Sequence, residues 1–144
     1  MLITRASRRD LAAVEEFYAE TGFFDGYEKP DFTQGWVFIA RQGPVVGAVR
    51  LLEVAPQTLV VEDAVVAEAR RGEGVGARLL GAAMNNRGGR LFVACEEDVT
   101  GFYERLGFSD ASFDDLPAEV QAHFRTEGCH PQPGGRVLRY MSAR

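Results

Sequence analysis

The sequence predicts an α/β (or α+β) domain built around a mixed sheet, and three observations lead there. Runs with strand character at 36–40, 45–54 and 58–66 follow one another with only turns between them, as in an antiparallel meander. A glycine-rich loop, a helix-spaced segment and a buried-type strand at 90–95 then complete a βαβ unit, so strands 58–66 and 90–95 should be parallel neighbours. The chain has 144 residues, 46% hydrophobic and 26% charged, enough to close one core and too apolar for intrinsic disorder. Residues 1–144 are therefore expected to form a single domain.

Each element has its own justification. Leu2-Ile3-Thr4-Arg5-Ala6 alternates apolar and polar, which suits a short first strand. Ser7 fits an N-cap, and Leu11, Val14, Phe17 and Tyr18 form the apolar face of the helix it opens. Thr21 to Gly35 reads as a glycine-punctuated loop carrying Phe23, Phe24, Tyr27 and Phe32. Gln42-Gly43-Pro44 turns between the first two meander strands, and Pro56 ends the second. After Gly72-Glu73-Gly74-Val75-Gly76, the apolar residues Val75, Leu79, Leu80 and Ala83 recur at helical spacing. Asp98 or Thr100 is expected to cap a short helix carrying Phe102, Tyr103 and Leu106, with Gly107 at its left-handed C′ position. Phe108 leads into an edge strand. Asp114 or Asp115 should cap a further helix with Pro117 at N1 and Val120 and Phe124 on one face. A last strand is expected over Arg136 to Met141.

Several functional classes are excluded at this level. No apolar run approaches the roughly 18 residues of a membrane helix, and acidic residues interrupt the N-terminal stretch where a signal peptide needs apolar ones. Cys95 and Cys129 do not make a disulfide framework, and Cys129-His130 has no second ligand pair at zinc spacing, so no metal is expected. A cytoplasmic protein without membrane partners is the expectation. The net charge of −5 argues against a nucleic-acid binder.

One segment departs from that acidic background. Residues 68–90 hold Arg70, Arg71, Arg78, Arg87 and Arg90 against Glu68 and Glu73, a net +3 that leaves −8 for the rest of the chain. Glycine is in excess, 16 of 144 residues, and three of these fall at 72, 74 and 76. Glycines just before a helix let backbone N–H groups converge on an anion at the helix N-terminus. The spacing matches neither GxxxxGK[ST] nor GxGxxG, which excludes a Walker-type site and disfavours a dinucleotide site.

What it does match is (Arg/Gln)xxGxGly, as Arg71-Gly72-Glu73-Gly74-Val75-Gly76, followed by Ala77-Arg78-Leu79-Leu80. Here the sequence resembles the GNAT (Gcn5-related N-acetyltransferase) superfamily. Phe102-Tyr103-Glu104-Arg105-Leu106-Gly107-Phe108 is similar to a second motif of that family, and the order of elements fits over nearly the whole chain. The resemblance implies a mostly antiparallel twisted sheet with a parallel βαβ core and flanking helices. It also implies an acetyl-CoA-dependent enzyme acetylating a primary amine of a small molecule or peptide. A GNAT-fold module that binds acetyl-CoA or regulates without turnover is the alternative. Many relatives dimerise, so a homodimer belongs to the same expectation.

Acetyl transfer to an amine needs a base, a donor for the developing oxyanion and a proton for the leaving thiolate. By resemblance, backbone groups near Val65, Val66 and Ala67 align the pantetheine and bind the acetyl carbonyl. Arg71, Gly72, Glu73, Gly74, Val75, Gly76 and Ala77 take the pyrophosphate, and Tyr103 protonates the sulfur. Glu62 lies four residues before Val66 and should share its strand face, with Asp63 on the opposite one. Glu96 stands where many relatives have Asn. Whether Glu62, Glu96 or a water is the base stays open at this level.

The family builds its acceptor site from the segment here at 21–36, whose aromatic rings and Asp25, Glu28 and Asp31 suit a cationic amine. Leu116-Pro117-Ala118-Glu119-Val120 and Cys129 also resemble single-domain N-acetylglutamate synthase relatives. An amino dicarboxylate would need arginines in the acceptor cleft. Segment 21–36 has none, and Arg50 is the nearest.

Overall fold

In the computed structural model of the protein, residues 1–22 and 35–144 are described. Most of the aromatic segment expected to receive the acceptor lies outside them. The strands are β1 (Leu2–Arg5), β2 (Trp36–Arg41), β3 (Val45–Ala55), β4 (Thr58–Val66), β5 (Arg90–Cys95), β6 (Ser109–Ala111) and β7 (Arg139–Ala143). They follow the sheet order β1-β2-β3-β4-β5-β7-β6. The β1/β2, β2/β3, β5/β7 and β6/β7 pairs are antiparallel, and β4/β5 is parallel. The helices are α1 (Leu11–Glu20), α2 (Val75–Asn86), α3 (Thr100–Arg105) and α4 (Ala118–Thr126). This is the mixed, mostly antiparallel architecture that the sequence predicts, with the parallel pair where the βαβ unit requires it.

The chain gathers into two compact units, residues 1–52 with 62–87 and residues 53–61 with 88–144. In the first unit, a 3-10 turn over Arg8–Asp10 precedes α1. The N–H and hydroxyl of Ser7 both donate to Asp10, at 2.7 and 3.0 Å, which holds that carboxyl below its usual range. Val14, Phe17 and Tyr18 of α1 pack with Val37, Ile39, Ala48 and Val65 from the strands. Val75, Leu79, Leu80 and Ala83 are the buried residues of α2, the face that the helical spacing predicts. Arg87 closes α2 and lays its guanidinium over the Trp36 ring, 4.1 Å from the centroid.

In the second unit, Val60, Phe92, Phe113, Leu116, Val120, Phe124 and Tyr140 form the core. Three local expectations are corrected here. Neither Asp98 nor Thr100 caps α3. A 3-10 turn over Glu97–Val99 leads into it, and Val99 is its N-cap residue. Pro117 is the N-cap residue of α4 and not N1, so no aspartate caps that helix. The Pro117 carbonyl accepts from Val120 and Gln121, both at 3.0 Å. The last strand begins at Arg139, three residues later than expected, because Arg139 pairs with Cys95, where β5 ends, and earlier residues have no strand opposite. That strand pairs with β5 over its whole length and with β6 over 140–142. α3 ends as expected. Gly107 is left-handed at φ 95°, and Phe108 donates to the Tyr103 carbonyl and Gly107 to that of Glu104, a Schellman closure.

Candidate active site

The residues expected to bind the cofactor all lie on one continuous stretch of the first unit, from the end of β4 through a 3-10 turn (Glu68–Arg70) to α2. Gly72 and Gly74 are left-handed, at φ 82° and 80°, and Gly74 is the N-cap residue of α2. Among the described residues, a Cβ built on either glycine would meet nothing within 4 Å. The first intrahelical bond runs from Arg78 N–H to the Gly74 carbonyl at 3.1 Å, so the N–H groups of Val75, Gly76 and Ala77 precede it. An open approach to three such donors at the positive end of a helix fits a pyrophosphate.

The basic side chains flanking the loop behave differently from one another. Arg70 Nε donates to Glu73 Oε1 at 3.0 Å, and its Nη2 donates to the Gln42 side chain. Arg71 Nε instead turns back to the Val66 carbonyl at 3.3 Å. The Ala67 N–H is taken by the Val46 carbonyl at 2.8 Å. The Ala67 N–H and the Val66 carbonyl thus already have protein partners, a restriction invisible in the sequence. Val65 is buried at the strand end.

Glu62 does not stand as alternation predicts. Asp63 is left-handed at φ 53°, which interrupts the two-residue pleat between Glu62 and Val66. Glu62 and Asp63 consequently reach the same cation. Arg50 Nη2 donates to Glu62 Oε2 at 2.7 Å, and Arg50 Nε lies 3.3 Å from Asp63 Oδ2. The Tyr18 hydroxyl donates to the Asp63 carbonyl at 2.6 Å, tying α1 to the kink. Arg50 is 7% exposed, and among the described residues it gathers the two carboxylates of Glu62 and Asp63. The sequence offers Arg50 only as a possible ligand for an acidic substrate, and strict alternation puts Asp63 on the opposite face from Glu62. A left-handed aspartate carries no glycine to mark it.

The second unit carries the other two candidates. Glu96 precedes the 3-10 turn before α3, is 57% exposed and pairs with Arg136 at 3.3 Å. Tyr103 is buried on α3, with edge-on contacts to Phe102 and Phe108 at 5.1 and 5.3 Å between centroids. Burial, with a smaller contribution from Cys95, pushes its phenol up to about 12. Tyr18 moves in the same direction through burial and the Asp63 carboxylate.

These shifts predict an alkaline limit. Both folded tyrosines favour the protonated form over the unfolded chain, whose phenols ionise near pH ~10. Their contribution to stability is complete below that pH. It is then lost at about 1.4 kcal/mol per pH unit for each tyrosine as pH rises toward 12. Urea midpoints measured from pH 9 to 11.5 should fall, and Tyr103→Phe should flatten the fall.

With this geometry in hand, comparison with known proteins settles the family. The acetyltransferase (GNAT) domain model matches residues 33–110, more than half of the chain, and the chain belongs to the GNAT acetyltransferase family. No curated protein sequence matches it. Among solved structures, a GNAT-family acetyltransferase from Staphylococcus aureus Mu50 is similar over 99% of this chain and 97% of its own, at 15% identity and a TM-score of 0.66. A Mycobacterium tuberculosis protein solved in complex with coenzyme A shares 20% identity over 99% of this chain and 98% of its own, with a TM-score of 0.65. N-acetylglutamate synthase from Neisseria gonorrhoeae, solved with coenzyme A and N-acetyl-glutamate, gives a TM-score of 0.73 at 18% identity. That match covers 99% of this chain but only 34% of the synthase. At such identities the likeness is one of fold. Among the described residues, no helix is long and apolar enough to cross a membrane.

Proposed function

We propose that residues 1–144 form one acetyl-CoA-dependent N-acetyltransferase domain that acetylates a primary amine of a small molecule or peptide by direct attack on the thioester. The observation that carries this reading is the loop before α2. Its two left-handed glycines clear the approach to three N–H groups that precede the first intrahelical bond. Val75, Gly76 and Ala77 would hold the pyrophosphate through backbone groups, with Gly72 and Gly74 shaping the turn. Acetyl-CoA, when bound, supplies the activated carbonyl.

Glu62 is the better base. It is mostly shielded from solvent and fixed by Arg50, whereas Glu96 is solvated and paired at the surface. Tyr103 is the hydrogen-bond donor to the departing sulfur. A phenol near 12 lies about three pKa units above an ordinary thiol, so the proton stays mostly with oxygen while its partial charge stabilises the thiolate. Tyr103→Phe should lower turnover by about 10- to 100-fold, at or below the low end of the roughly 10²–10⁴ of full general acid catalysis, and leave coenzyme A binding within twofold.

The cluster around Arg50 supports a cationic acceptor. An amino dicarboxylate would need a guanidinium to receive it, and Arg50 already serves Glu62 and Asp63. The test is a panel of amines, amino acids and peptides, with released coenzyme A titrated by a thiol reagent. Turnover on amines that carry a net positive charge is the expected result. Thermal stabilisation by acetyl-CoA with no turnover on any acceptor would assign a binding module instead, and no stabilisation would overturn both.

A further inference from the structure

Glu73 is an anomaly in its loop. It places a carboxylate between the left-handed Gly72 and Gly74, in the segment read above as a pyrophosphate site. A bare carboxylate there would repel the ligand that the neighbouring N–H groups attract. The structure surrounds that charge in a specific way. Arg70, in the 3-10 turn just before the loop, donates from Nε to Glu73 Oε1 at 3.0 Å and from Nη2 to Gln42, in the turn between β2 and β3. The side chains of Arg70 and Glu73 are 27% and 50% exposed. A pair this open adds little to folding stability. The adjacent Arg71 does not share the task, since its Nε is directed to the Val66 carbonyl.

We propose that Arg70 is a positioning residue. It neutralises Glu73 and, through Gln42, anchors it to the β2–β3 turn, so that the loop offers backbone N–H groups and not a carboxylate to an incoming pyrophosphate. The inference rests on the reading of this loop as the acetyl-CoA site.

Its test is coenzyme A titration by calorimetry at low ionic strength, on the wild type, Arg70→Gln, Glu73→Gln and the double variant. KM for acetyl-CoA and kcat are measured alongside. Arg70→Gln should weaken binding about tenfold, with KM rising in step and kcat within about twofold. The loss should shrink in high salt, as for charges near a surface. Glu73→Gln alone should bind more tightly than wild type, because Arg70 is released to attract the ligand. The double variant should return to within about threefold of wild type.

A double variant as weak as Arg70→Gln would overturn the proposal, because a simple staple or a direct ligand contact is not rescued by removing Glu73. Weaker binding by Glu73→Gln would overturn it too, and that arm decides alone should Arg70→Gln melt early. A wild-type protein that binds no coenzyme A would overturn the reading of the loop itself, and this inference with it.

Discussion

Arg50→Leu is expected to cost about 3–5 kcal/mol of folding stability, read as a fall in the urea midpoint. The guanidinium is 7% exposed and serves Glu62 at 2.7 Å and Asp63 at 3.3 Å. Its removal takes from two shielded carboxylates the cation they share, so less of their desolvation is offset. Lost packing would give a similar number, so the triple variant Arg50→Leu, Glu62→Gln, Asp63→Asn separates the causes. It should regain most of the stability if uncompensated charge is the source, and almost none if lost packing is. Acetyl transfer should be absent in the triple variant, because its proposed base is gone.

Gly74→Val should abolish measurable coenzyme A binding, a loss of at least about 100-fold, equivalent to about 2.7 kcal/mol. Two effects act in the same direction. At φ 80° a β-branched residue is strained by about 1–3 kcal/mol, which pulls the first turn of α2 out of position. The isopropyl group would also stand in space that is open to 4 Å around a Cβ at this position, on the approach to the helix N-terminus. Gly74→Ala keeps the first effect in milder form and removes most of the second, so it should retain weak binding. Calorimetry on the pair, with a ligand-free melt as control, checks both. Equal binding by Gly74→Val and wild type would remove the loop from the cofactor site.

The parts of this molecule legible in the sequence are those where position along the chain decides position in space. The buried face of α2, the glycine loop just before it and the Schellman end of α3 are each contained within a few residues, and each stands where the pattern places it. The cluster on Arg50 was not legible, for two physical reasons. Arg50 and Glu62 are twelve residues apart on different strands, and their meeting depends on where the strands lie and not on a local motif. The kink that swings Asp63 toward the same cation is a left-handed aspartate, held by a hydroxyl from α1 45 residues away. The starts of α3 and α4 are hidden in the sequence because short 3-10 turns precede both, and such turns leave no periodicity to read.

The stacking of Arg87 on Trp36 gives the protein an optical sensor of its own. Trp36 is the only tryptophan, and the cation resting on it terminates the helix whose opposite end begins at Gly74. α2 is twelve residues long, so an event at its first turn and the emitting ring are separated by about 18 Å of rigid helix. Any tilt or tightening of that rod alters the contact between guanidinium and indole. Occupancy of the loop would then be readable in real time as a change in intrinsic fluorescence, with no label attached and no turnover required.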